Sequence, residues 1–91
     1  MAIQFHIPTV LAGLADGKQM IEASGQTLGE AVADVAARFP KLAPRLRDEQ
    51  GKPYRFIVFY VNDEDCRFRG GFAAPLRDGD EVTIVPAIAG G

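Results

Sequence analysis

The last two residues of the chain, Gly90 and Gly91, offer its clearest opportunity for chemistry. Because glycine has no Cβ, this end presents a backbone carboxylate without a nearby side chain and can adopt almost any φ/ψ combination. Such an end fits a channel that is too narrow for a side chain. The sequence therefore predicts a carboxyl group that reacts inside the active site of another protein.

The other side chains that could take part in a reaction have no visible partner for it. His6 falls on the polar side of a predicted strand, opposite Phe5, without a visible nucleophile or metal partner. Cys66 is the single cysteine, so it forms no disulfide within the chain, and no second cysteine or cationic pair beside it favours a lowered pKa. No metal cluster or nucleophile–base arrangement is visible. A stand-alone enzyme is therefore the least favoured class, and no metal site is expected.

Length and composition indicate one soluble domain. The chain has 91 residues, of which 47% are hydrophobic and 24% charged, as in ordinary globular proteins. A net charge of −2 does not indicate the positively charged surface that binds nucleic acid. The N-terminus lacks a basic, apolar leader and no apolar stretch reaches membrane-spanning length. We expect a cytoplasmic protein that contacts neither nucleic acid nor membrane.

The first part of the chain predicts a hairpin. Ile3, Phe5 and Ile7 alternate with polar residues, which is typical of a half-buried strand that ends near Pro8. Residues 18–23 predict a second strand with Met20 as an inward residue. A turn signal at residues 16–17 lies between the two, so the connection is longer than in the tightest hairpins.

One amphipathic helix is predicted after the hairpin. Thr27 and Glu30 fit a capping box, with Thr27 as the N-cap. Apolar residues then recur at helical spacing and form one stripe: Leu28, Val32, Val35 and Phe39. Pro40 ends the helix. Leu42 and Leu46 predict a further short turn, interrupted by Pro44.

Three more strands are predicted in the second half, at 56–61, 66–68 and 81–85. The first is a nearly continuous run of β-branched and aromatic residues and is followed by a turn at 62–65. The last has Val82 and Ile84 as inward residues and ends at Pro86. Residues 78–79 and Gly70-Gly71 predict turns.

This order of elements predicts an α+β fold of the β-grasp (ubiquitin-like) type. A mixed sheet of about five strands packs on one helix, and the first and last strands are parallel neighbours at its centre. We expect residues 1–86 to form the domain and residues 87–91 to form a flexible C-terminal tail.

The chain resembles the ubiquitin-like sulfur carriers of the ThiS/MoaD family along its whole length. The resemblance is carried by an ordered set of motifs: Thr27-Leu28-Gly29, Val61-Asn62-Asp63, Asp78-Gly79-Asp80, Val82-Thr83-Ile84-Val85-Pro86 and Ala89-Gly90-Gly91. Residues 61–65, Arg67-Phe68, Gly70-Gly71 and residues 84–87 are more narrowly similar to carriers of O-phosphoserine-dependent cysteine synthesis.

The resemblance implies a chemistry for the C-terminus. The Gly91 carboxylate is adenylated by an E1-like (MoeB/ThiF-type) enzyme that uses ATP, and it is then converted to a thiocarboxylate that donates sulfide. Ala89 and Gly90 thread the enzyme's channel. A PLP-dependent cysteine synthase is the implied sulfur acceptor, and a JAMM-type metallopeptidase the implied enzyme of product release. The chain itself has no P-loop, so we expect it to bind no cofactor.

Six side chains are candidates for docking such partners, because arginine and aromatic residues are favoured in interface cores. They are Tyr60, Arg67, Phe68, Arg69, Phe72 and Arg77. We expect them near the tail. The alternative is that Tyr60 and Phe68 pack in the core or on the sheet, that the arginines are solvated, and that residues 63–65 form an ordinary acidic turn.

Several functions share the predicted activation step. The first alternative to a sulfur carrier is a ubiquitin-like modifier joined through Gly91 to lysines of target proteins. The second is a small MoaD-like subunit of molybdopterin synthase. Carriers for thiamine thiazole or siderophore sulfur form a third alternative. Lysine adducts favour the modifier, and stable co-purification with a larger catalytic subunit favours the synthase subunit.

Overall fold

A computed structural model describes residues 2–54 and 57–86 of the chain. The strands are β1 (Ile3–His6), β2 (Met20–Ala23), β3 (Ile57–Val61), β4 (Glu64–Asp65) and β5 (Glu81–Pro86). The α-helices are α1 (Thr9–Ala12), α2 (Leu28–Arg38) and α3 (Ala43–Leu46). Three short 3-10 segments are Gly13–Ala15, Cys66–Arg69 and Gly71–Ala73.

The five strands form one mixed sheet in the order β2-β1-β5-β3-β4. β1 is antiparallel to β2 and parallel to β5, while β3 is antiparallel to both β5 and β4. Phe5 and Phe59, on β1 and β3, are the largest fully buried side chains. The predicted mixed sheet with parallel first and last strands is confirmed.

Helix α2 begins where the sequence predicts. The Glu30 backbone N–H donates to the Thr27 hydroxyl at 3.2 Å, so Thr27 is the N-cap. The Glu30 carboxylate accepts from the backbone N–H of Gln26 at 2.9 Å, one residue before the cap. The predicted stripe faces the core, since Leu28, Val32 and Val35 are fully buried.

Replacing Thr27 with alanine is expected to lower the free energy of unfolding by about 1 kcal/mol, because the first turn of α2 loses its hydroxyl acceptor. Urea unfolding followed by circular dichroism measures this loss. Thr27→Ser keeps the hydroxyl and serves as the matched control. A Thr27→Ala variant as stable as the Thr27→Ser variant contradicts the cap assignment.

Side chains of α2 cover the free edge of β2. The Arg38 guanidinium donates to the backbone carbonyl of Glu22 and to the Asp34 carboxylate, which in turn accepts from the Ser24 backbone N–H at 2.9 Å. Unpaired backbone groups on an edge strand invite pairing with another chain. Asp34 and Arg38 occupy two of these groups and so protect the edge.

The predicted orientation of β2 is wrong. Met20 is exposed, whereas Ile21 and Ala23 are buried. Ile21 lies opposite Phe5 in the register of β1 and β2, and opposed residues share a face of the sheet. The connection between these strands also contains α1 and a 3-10 turn, whereas the sequence predicted only a turn at residues 16–17.

The short strand predicted at residues 66–68 is wrong as well. Asn62 and Asp63 have φ values of 50° and 71°, so they reverse the chain in two residues and let β4 begin at Glu64. The Asp65 carboxylate then accepts from the Arg67 backbone N–H at 2.9 Å, which caps a 3-10 turn. Pro44 does not interrupt α3, because it occupies the first helical turn, where a missing N–H costs little.

Candidate functional site

Strand β5 leads to the predicted reactive end. It lies between β1 and β3, and the side chains of Val82 and Ile84 fix it to the core with 0% and 2% exposure. Pro86, its last residue, pairs with Ile57 of β3. The chain is therefore held in the centre of the sheet up to Pro86. Ala89, Gly90 and Gly91 lie outside the described residues, so their predicted roles and the division at residues 86 and 87 stay predictions.

A polar network fixes the start of β5. The Asn62 side chain donates to the Asp80 carboxylate at 2.9 Å and accepts from the Glu81 backbone N–H at 3.0 Å. Asp80 also accepts from the Arg77 backbone N–H at 2.8 Å. These bonds, that of Asn62 first, hold the pKa of Asp80 below its usual value. The network sets the register of β3 against β5.

A second network orders the turn after β4. The Arg67 guanidinium contacts both oxygens of Asp65, with Nε at 3.1 and 3.0 Å and a terminal nitrogen at 2.6 Å. The side-chain bond with Arg67 is the main reason that the pKa of Asp65 is lowered, and the Arg67 backbone N–H adds to it. Arg69 lies 3.5 Å from Glu64. Both arginines of the turn are thus held by the carboxylates of β4.

The lowered pKa values of Asp65 and Asp80 predict a loss of stability in acid. A folded-state pKa below the unfolded value means that the unfolded chain binds more protons, so the free energy of unfolding falls as pH drops. The contribution is complete above the ordinary value of 3.8 and is lost as pH falls through the lower folded pKa values. Urea midpoints measured between about pH 6 and pH 2 test this window. Asp65→Asn and Asp80→Asn should each flatten the profile, and a wild-type midpoint that stays constant to pH 2 contradicts the assignment.

The structure does not bring the six docking candidates to one surface. Phe68 is exposed, so the alternative of a packed Phe68 is wrong. Tyr60 is half-buried opposite Thr83. Phe72 is half-buried, with its ring 5.5 Å from that of Phe59 and edge-on to it. Phe72 thus contributes mainly to packing.

The three arginines divide between the two ends of β5. Arg67 lines a cavity with Ile57 and Val58, on the side of Pro86. Arg69 and Arg77 line a polar cleft with Asn62 and Asp80, at the start of β5. A six-residue strand spans about 17 Å from its first to its last Cα, so Arg69 and Arg77 lie away from the end that leads to the tail.

Comparison with known proteins identifies the family. The ThiS family model matches residues 6–91, almost the whole chain. This chain belongs to the ThiS family. It is 46% identical over 93 residues to the sulfur carrier protein CysO of Mycobacterium tuberculosis, and the match covers 100% of both chains. The family predicted from the sequence is confirmed.

Solved structures support the same assignment. A CysO chain in the BexX/CysO complex of Amycolatopsis orientalis has a TM-score of 0.90 and 47% identity, covering 99% of this chain and 100% of that chain. SAMP1 of Haloferax volcanii has a TM-score of 0.84 at 22% identity over 100% of both chains. The second likeness shows the fold alone. Together they confirm the ubiquitin-like β-grasp architecture of this ThiS-family chain.

The remaining polar candidates have structural partners in this ThiS-family chain. His6 Nε2 lies 2.7 Å from the Glu81 carboxylate, across the neighbouring strands β1 and β5. Cys66 is 3% exposed, and burial raises the pKa of its thiol, as expected for an inert cysteine.

Within residues 2–54 and 57–86, no group of three or more potential metal ligands occurs. None of the helices in these ranges has the length and hydropathy to cross a bilayer.

Two side-chain bonds that order the site were not predicted from the sequence. Asn62 and Asp80 belong to separate motifs, yet they bond to each other and join two strands. Asp65 and Arg67 form the turn that carries Phe68. The available signal was the spacing of Asp65 and Arg67 just before two glycines. This pattern does not distinguish a solvated ion pair from a pair whose hydrogen bonds hold a turn.

Proposed function

We propose that this chain is a sulfur carrier whose Gly91 carboxylate is converted to a thiocarboxylate that supplies sulfide for biosynthesis, most specifically of cysteine. The observation that carries this proposal is the 46% identity, over the full length of both chains, to a protein named sulfur carrier protein CysO. The ThiS family match to residue 91 supports the same function.

The proposed chemistry has two steps. The Gly91 carboxylate attacks the α-phosphorus of ATP, which releases pyrophosphate and leaves a mixed anhydride with AMP. Hydrosulfide then attacks the acyl carbon, so that a C–S bond forms and the C–O bond to AMP breaks. The product is a thiocarboxylate, and no electron transfer is needed when sulfide is the donor.

The carrier presents the carboxyl group, and partner enzymes perform the catalysis. The six residues from Pro86 to Gly91 span at most about 20 Å, enough to reach from the sheet into a partner's cleft. Because Pro86 is paired in the sheet, a partner that grips the domain also fixes the origin of the tail. A solved complex in which a CysO chain binds BexX supports the use of protein partners.

The proposed partners follow the order of the chemistry. An E1-like adenylating enzyme binds ATP and loads the carrier, which itself holds no cofactor. A PLP-dependent cysteine synthase then accepts the sulfur, and a JAMM-type metallopeptidase releases the product from the carrier. We place these reactions in the cytoplasm, where ATP is available to the activating enzyme.

The test is the intact mass of the protein after incubation with ATP, sulfide and an E1-like enzyme that loads a CysO carrier. A gain equal to one oxygen-to-sulfur exchange is expected, and it should disappear without ATP or after deletion of Gly91. No gain with an enzyme that loads its usual carrier in parallel overturns the proposal. Lysine adducts in cell extract, without a thiocarboxylate, favour the modifier instead.

A further inference from the structure

A polar cleft with a volume of about 370 Å³ lies at the start of β5, and its arginines have no role in the function proposed above. The cleft is lined by Asn62, Arg69, Pro75, Arg77 and Asp80. Asn62 and Arg77 are exposed and Arg69 is half-buried, so the cleft is open to another molecule. It therefore brings two guanidinium groups and one carboxylate together at an accessible surface.

The side-chain oxygens of the cleft already accept hydrogen bonds from the chain itself. Asp80 Oδ1 accepts from the Asn62 side chain at 2.9 Å, and Asp80 Oδ2 accepts from the Arg77 backbone N–H at 2.8 Å. The Asn62 side-chain oxygen accepts from the Glu81 backbone N–H at 3.0 Å. These bonds hold Asn62 and Asp80 in place before a ligand arrives, which lowers the entropy cost of binding.

The arginines of the cleft keep donors that the chain does not use. In the described part of the chain, the Arg77 guanidinium makes neither a hydrogen bond nor an ion pair, and it acts on Asp80 only through its charge. Arg69 Nε lies 3.5 Å from a Glu64 oxygen, which is long for a hydrogen bond, and Glu64 does not line the cleft. The N–H groups of a guanidinium match the paired oxygens of an oxyanion. The unused groups of the cleft therefore favour an oxyanion as ligand.

We propose that this cleft binds an aspartate or glutamate side chain of a partner protein, and that Arg77 and Arg69 donate to its carboxylate. Two arginines against the one carboxylate of Asp80 leave the lining with a single positive charge. One carboxylate balances that charge. A phosphate group carries about −1.5 to −2 at neutral pH, so it would add unbalanced negative charge beside Asp80. The charge of the cleft therefore favours an acidic side chain over a phosphate.

The cleft and the tail lie at opposite ends of β5. Asp80 directly precedes the strand, and Pro86 is its last residue. A partner that takes the tail into its active site and places an acidic side chain in the cleft contacts the domain at two points about 17 Å apart, the span of a six-residue strand. Two such contacts fix the orientation of the domain as well as its position. Binding at the cleft itself does not depend on the chemistry proposed for Gly91.

The test is an NMR titration of the isotope-labelled chain with a short capped peptide that contains two glutamates, at constant ionic strength. Saturable shifts are expected for Asn62, Arg69 and Arg77, but not for Tyr54 and Ile57 near the other end of β5. A matched peptide with lysines in place of the glutamates should cause none. The absence of saturable shifts up to about 20 mM glutamate peptide overturns the inference, as do equal shifts with the lysine peptide. Acetate should shift the same signals more weakly, and tighter binding of inorganic phosphate than of the glutamate peptide overturns the choice of a protein carboxylate.

Replacing Arg77 with glutamine should raise the Kd for the glutamate peptide about fivefold, the upper end for a solvent-exposed ion pair. The fold should be unaffected, because the bond to Asp80 comes from the backbone of residue 77, and urea unfolding checks this. Arg45→Gln is the matched control, since Arg45 is exposed on α3 and does not line the cleft. An unchanged Kd for Arg77→Gln, or an equal rise for Arg45→Gln, overturns the inference. Because the titration uses this chain without an enzyme, its outcome is independent of the loading test for the proposed function.

Discussion

Replacing Gly90 with valine is expected to lower the rate of thiocarboxylation about 100-fold or more while the domain stays folded. The reason is positional, because a displacement of about 1 Å of the reacting group can cost two orders of magnitude in rate. Valine adds an isopropyl group next to the reacting residue and restricts the φ/ψ range that a glycine there can adopt. A channel that accepts only backbone at this position excludes this side chain.

The measurement is intact mass over time with the E1-like enzyme, ATP and sulfide. Gly90→Ala should be intermediate, since a single Cβ is a smaller obstacle. Gly13→Val is the matched control, because a Cβ there meets nothing within 4 Å and the φ of −61° suits any residue. Loading of Gly90→Val at the wild-type rate rules out the narrow channel, and slow loading of Gly13→Val points to a general effect of the substitution.

The elements with strong local signals could be predicted from the sequence. The capping box at Thr27 and Glu30 marked the start of α2 because one hydroxyl and one carboxylate can satisfy the free N–H groups there. The alternation of Val82 and Ile84 gave the buried face of β5. Both signals act within a few residues, so no tertiary information was needed.

The errors arose where the register between strands or a side-chain cap decides the structure. Met20 and Ile21 are both apolar, and only the register against Phe5 determines which of them faces the core. At Cys66, the Asp65 carboxylate captures the Arg67 N–H and turns the chain before a strand can form. Such bonds depend on geometry that a residue pattern does not contain.

The family of the chain was predictable from the sequence, whereas the positions of the docking candidates were not. The terminal glycines and the motif order indicated the family, which the comparisons confirm. All six docking side chains were expected near the tail. The direction of β5 puts Arg69 and Arg77 at its other end, and packing on Phe59 takes Phe72 out of the exposed set.

Replacing Phe59 with alanine is expected to lower the free energy of unfolding by about 3–5 kcal/mol, the range for deleting a buried aromatic ring. Phe59 is 1% exposed on β3 and packs edge-on against Phe72, with ring centroids 5.5 Å apart. The substitution therefore loses both buried area and an aromatic pair. A domain of this size has a total stability of about 5–15 kcal/mol, so the variant should be marginally folded.

Urea unfolding at constant temperature measures this loss, with Phe68→Ala as the exposed phenylalanine that should change stability by less than about 0.5 kcal/mol. A loss below about 1 kcal/mol for Phe59→Ala contradicts the packing described for the core. The variant also separates two causes of failed loading. Cooling toward the temperature of maximum stability should restore thiocarboxylation to Phe59→Ala, which fails by unfolding. It should not restore Gly90→Val, which fails in the partner's channel.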